Sequence, residues 1–116
     1  MLLRASGVTQ NSDYDLNAVT GAVRSDAGVP YGRLLVEFAE HVLGEDEAAL
    51  TRARAALSEA IGPAGLVDAA GVVGLFNAID RIADATGIPL EAEKAAASTD
   101  FRAALGVNRF DVTTRT

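Results

Sequence analysis

Apolar residues along this chain recur at three- and four-residue intervals, and no segment alternates steadily between apolar and polar. The first period belongs to a helix with one buried face; the second, absent here, would mark a half-buried strand. The pattern predicts an all-α fold of four or five helices. Ser12 with Asp15 makes a weak capping pair, an Asp standing where Glu or Gln is usual. A helix from about Asp13 puts Leu16, Val19 and Val23 on one face, with Gly28 as its stop and Pro30 just beyond. Pro30 also suits the first turn of the next helix, where its missing N–H costs nothing. That helix, YGRLLVEFAEHVL, carries Leu34, Leu35, Phe38 and Val42 as one stripe, and Gly44 follows as a stop.

A third helix opens with Glu45, Asp46 and Glu47, acids that suit the positive end of a helix dipole. Its buried edge is predicted at Leu50, Leu57 and Ile61; Gly62 ends it and Pro63 starts the fourth. The fourth runs from about Pro63 to Thr86. Leu66, Val67, Ala70, Val73, Leu75, Phe76, Ile79 and Ile82 wrap most of its circumference, which predicts burial on most sides. Gly71, Gly74 and Ala78 add a small-residue track. Each mid-helix glycine costs up to ~1 kcal/mol relative to alanine, and close approach of another helix backbone is the simplest compensation. Gly87 reads as a left-handed cap, with Ile88 folding back and Pro89 forbidding continuation. A short helical piece, LEAEKAAA, follows. Ser98 or Thr99 is expected to cap a last turn, DFRAAL, closed by Gly106. Residues 1–110 read as one domain and 111–116 as a polar, mobile tail.

At 116 residues the chain has room for one domain with one core. Its net charge of −6 argues against nucleic acid or an anionic membrane surface as a partner, since both need a basic patch. The absence of cysteine removes disulfides, thiolate nucleophiles and cysteine zinc sites together. The start, MLLRASGV, is too short an apolar run for a signal peptide. No uninterrupted stretch approaches the ~20 apolar residues of a membrane span. The expectation is a soluble, cytoplasmic protein without a membrane partner.

Within the fourth helix, Asn77, Asp80, Arg81 and Asp84 interrupt the apolar run at helical spacing. Arg81 lies four residues from Asn77 and three from Asp84, so all three can share a face. One reading is a polar pocket in which Arg81 binds a small carboxylated ligand. The other is a seam where Asp84 and Asn77 pair Arg81 against a neighbouring helix or subunit, because buried charge is normally paired. Asp80 and Asp84 are like charges one turn apart, which favours a partner nearby. His41, the one histidine, ends the second helix four residues after Glu37. It suits the negative end of the dipole there, and general acid–base use is open to it. A metal site of Glu37, Glu40 and His41 lacks the Glu-x-x-His pairs of carboxylate-bridged bundles, so no metal and no cofactor are expected. Glu45, Asp46 and Glu47 lack the spacing of a calcium loop. Gly71 and Gly74 lie mid-helix and make no phosphate cradle. No Gly-x-Ser-x-Gly elbow occurs.

The stretch FNAIDRIADATGIPLE resembles the C-terminal helix of the carboxymuconolactone decarboxylase and alkylhydroperoxidase D-like superfamily, in its peroxidase-related branch. Phe76, Asn77, Arg81, Ala83, Asp84, Gly87 and Pro89 carry the likeness, and Asp80 stands where the family usually has Asn. DFRAALGVNRF is similar to the tail of those proteins, and LLVEFAEHVL to the preceding helix, so the resemblance covers roughly residues 29 to 110. It implies an antiparallel helical bundle that oligomerises through such helices. The family's chemistry sits on an earlier helix bearing Cys-x-x-Cys and a His four residues later. Aligning Ala27-Gly28 with the end of that helix puts Asp13 and Leu16 at the cysteine positions and Thr20 at the His position. Residues 1–28 thus look like a redox helix with its redox residues replaced. Cysteine-dependent peroxidase activity, which needs one thiolate to attack and a second thiol to resolve, is excluded. Three functions stay open: a redox-inactive, homo-oligomeric binding or structural module; a cysteine-independent, decarboxylase-like lyase acting on a small carboxylated substrate, with Arg81 as anion anchor and His41 as acid–base group; and an accessory domain that completes a partner chain.

Overall fold

The computed structural model describes residues 10, 13–18, 20 and 25–110. Among these the chain is all-α, and no strand occurs. A 3-10 turn at Leu16–Ala18 precedes helix α1 (Gly32–Val42), the long helix α2 (Glu47–Thr86), two short helices α3 (Ala92–Ala97) and α4 (Thr99–Ala104), and a closing 3-10 turn at Val107–Phe110. Ser12, Val19, Val23 and the tail 111–116 lie outside the described residues.

The first predicted helix does not begin at Asp13. Residues 13–15 are irregular, and Asp15 turns its carboxylate onto the Asn17 backbone N–H at 3.0 Å, a local bond that competes with helix. The Asp15 N–H reaches the Ala27 carbonyl at 3.2 Å and ties this segment to the loop before α1. Nor does α1 begin at Pro30. Tyr31 is left-handed (φ 58°), so helical geometry starts only at Gly32. Asp26, seven residues upstream, supplies the cap by accepting the Arg33 N–H at 2.9 Å.

The span labelled α2 holds the two predicted helices, joined across a break in helical geometry. Their boundary falls where glycine and proline set it: Gly62 has φ 79° and ψ 169°, and Pro63 follows. Proline removes a ladder donor, and only glycine adopts that backbone at no cost, so one path runs on with a sharp kink. Asp46 is the N-cap, accepting the Ala49 N–H at 2.9 Å. Gly87 is left-handed, and the Gly87 and Ile88 N–H groups both turn back to the Ala83 carbonyl, as a glycine-terminated helix requires. The expected caps at Ser98 and Thr99 do not form. Both hydroxyls donate backwards, Ser98 to the Lys94 carbonyl at 2.6 Å and Thr99 to that of Ala95 at 3.0 Å.

The core lies between α1 and residues 47–61 of α2. Phe38, Ala49 and Leu57 are buried, Leu57 completely. Beyond the kink the prediction of burial on most sides fails. Val72, Leu75, Phe76, Ile79 and Ile82 are all largely exposed, and a Cβ at Gly71 or Gly74 would meet nothing within 4 Å. The packing of elements is α1 on α2, α3 on α4 and α4 on the closing turn. The radius of gyration is accordingly 15.7 Å, against roughly 13 Å for a compact domain of this length.

Candidate functional site

Four positions on residues 63–86 of α2 set the geometry. Val72, Leu75, Ile79 and Ile82 follow one another at intervals of three, four and three, which aligns them on one face of a helix turning about 100° per residue. They are 56%, 59%, 49% and 60% exposed, and Phe76 on their flank is 47% exposed. The same rotation carries Asn77, Asp80, Arg81 and Asp84 to the opposite face. On that face Asp80, Arg81 and Asp84 are exposed and Asn77 is half-buried, so the polar row lies opposite an uncovered apolar stripe.

Arg81 and Asp84 approach at 4.0 Å with both side chains more than three-quarters exposed. At such exposure a pair contributes little. Asn77 is half-buried and no bond joins it to Arg81, so the three-way pairing does not form within one chain. Asp80 is exposed. Nothing encloses Arg81 as a carboxylate pocket would need.

His41 sits elsewhere. It is half-buried in the last turn of α1, close enough to Asp46 to help lower that carboxyl's pKa, an effect led by the Ala49 hydrogen bond. Arg81 lies about 28 Å of helix beyond the Gly62 kink, at 1.5 Å per residue. The structure does not bring the two together. Glu37, one turn before His41, is engaged by Arg33 at 3.1 Å, and no group of three metal-binding side chains occurs among the described residues.

An open depression of about 490 Å³ lies at the other end, lined by Asp13, Tyr14, Asp15, Ser25, Asp26, Ala27 and Gly28. Two of its three carboxylates are occupied with the backbone: Asp15 with Asn17, Asp26 with Arg33. Of the aligned redox positions, Asp13 is exposed, Leu16 half-buried, and Thr20 donates its hydroxyl to the Asn17 carbonyl at 3.0 Å.

By length and composition alone, α2 qualifies as a helix that could cross a membrane, with a window of mean hydropathy 1.4 and none of it buried. No unbroken apolar run marks this stretch, because isolated polar residues such as Asp68 interrupt it although it is apolar on average. No protein-family model, curated protein or solved structure matches the chain.

Proposed function

We propose that the chain is a redox-inactive relative of the alkylhydroperoxidase D-like proteins and serves in the cytoplasm as a homo-oligomeric binding or structural module. The observation that carries this reading is the bare apolar stripe of α2 beyond the kink. Val72, Leu75, Phe76, Ile79 and Ile82 present roughly 500 Å² of contiguous apolar surface at their exposures, the upper range for a monomer and typical of an interaction site. The absence of cysteine supports the redox-inactive part. A bilayer suits the stripe less well than protein does. Asp68, Asp80, Arg81 and Asp84 all lie within residues 63–86, and each charge carried into hydrocarbon is costly.

A lyase built on His41 and Arg81 finds no support in the geometry, since no shared cavity holds them. The test is native mass by light scattering across a range of concentrations, with hydroperoxide turnover assayed on the same metal-free sample. A dimer or larger species without turnover is expected. A clean monomer, or measurable turnover, overturns the reading.

A further inference from the structure

We propose that residues 63–86 of α2 pair antiparallel with the same segment of a second copy, about a two-fold axis level with residue 77. This rests on the homo-oligomeric reading above and specifies its geometry.

The register follows from the stripe. Centred on residue 77, an antiparallel pair sets Val72 against the partner's Ile82 and Leu75 against the partner's Ile79, so all four apolar positions are covered twice over. Sliding one heptad towards the N-terminus sets Ile79 against the partner's Asp68. Sliding the other way sets Leu75 against the partner's Thr86. Either slip loses half the apolar layers.

Charge selects the direction. Asp68 lies four residues before Val72, in line with the stripe. A parallel pair would press Asp68 against the partner's Asp68 at the edge of an apolar seam, where like charges repel and are costly to desolvate. The antiparallel pair separates them to opposite ends, each level with a Thr86 and open to water. The flanks agree. Phe76 meets its own copy beside the axis on one flank. On the other lie Gly71, Ala78 and Ala85, whose small side chains let two helix backbones approach. Asn77, Asp80, Arg81 and Asp84 stay on the face opposite the seam. Two such faces together bury roughly 1,000 Å², the size at which specific interfaces begin.

A chain without cysteine makes the test direct, because every thiol is an introduced one. Val72 and Ile82 are exposed on the helix, so Val72→Cys and Ile82→Cys leave the core between α1 and α2 untouched. In the antiparallel pair the two copies of residue 72 stand about 15 Å apart along the helix axis, too far for a disulfide. Under mild oxidation, a mixture of the two variants should give several-fold more covalent dimer than either alone. Efficient self-linking of Val72→Cys overturns the proposal in favour of a parallel pair. If wild type is oligomeric by light scattering and the mixture does not link, this pairing falls while the oligomeric reading stands. A wild-type monomer ends both, and a monomer that co-sediments with phosphatidylcholine vesicles assigns the stripe to lipid.

Discussion

Asp46 accepts the Ala49 N–H at 2.9 Å, and that bond, ahead of the charges of Arg52 and His41, holds its carboxyl below the ordinary value of 3.8. A group depressed in the folded state stabilises fully above its unfolded pKa, and the contribution is lost as pH falls through the folded value. Asp46→Ala should therefore melt below wild type by a constant margin from about pH 5 to about pH 8, and the margin should shrink as the pH falls below the ordinary carboxylate range. Thermal scans of both proteins across that range decide it; a margin unchanged in acid would mean that packing, not the carboxylate, matters. Glycines separate just as sharply. A Cβ at Gly32 would overlap the Asp26 backbone oxygen, whereas one at Gly74 meets open space. Gly32→Ala should cost roughly 1–3 kcal/mol through forced backbone shifts. Gly74→Ala should gain up to ~1 kcal/mol of helix propensity, as read by denaturant midpoint. Loss of stability in Gly74→Ala would indicate a close neighbour at that position.

At the level of elements, the two halves of α2 obey different rules. Leu57 is fully buried under α1, so Leu57→Ala should destabilise the fold by about 2–5 kcal/mol. Ile79 faces outward. Ile79→Glu should leave monomer stability within about 0.5 kcal/mol while lowering the native mass. Calorimetry and light scattering on both variants separate core from interface, and equal loss of stability would erase the distinction. The sequence reads well where one residue decides locally. Gly62-Pro63 and Gly87-x-Pro89 mark the kink and the end of α2 because no other residues suit those backbones. Phe38 and Leu57 declare the core by period alone. Legibility fails where a competitor is near. Asp15 claims the Asn17 N–H and stops a helix that periodicity favours, and Asp26 caps α1 from too far upstream for a capping pattern to register. The all-round apolar character of residues 63–86 says that something covers them, but not whether that cover belongs to the same chain. The polar row was visible as a row. Its side of the helix could be assigned only once exposure showed which face lacks a neighbour.

For the molecule as a whole, stability is concentrated at one end. Residues 63–86 are joined to the α1–α2 core through the Gly62-Pro63 joint, and about half of the surface of their apolar stripe is open to solvent. A helix of about two dozen residues with three internal glycines, Gly65, Gly71 and Gly74, is marginal in water without tertiary support. Under the proposed pairing its order would be set by mass action on the associated state. Dilution should lower the far-ultraviolet helical signal before the α1–α2 core melts, and amides beyond the joint should exchange at a rate that tracks protein concentration. With that pairing, the joint would turn protein abundance into a local variable: at low concentration the distal half would become the first site a protease reaches, and a crowded chain would outlive a scarce one.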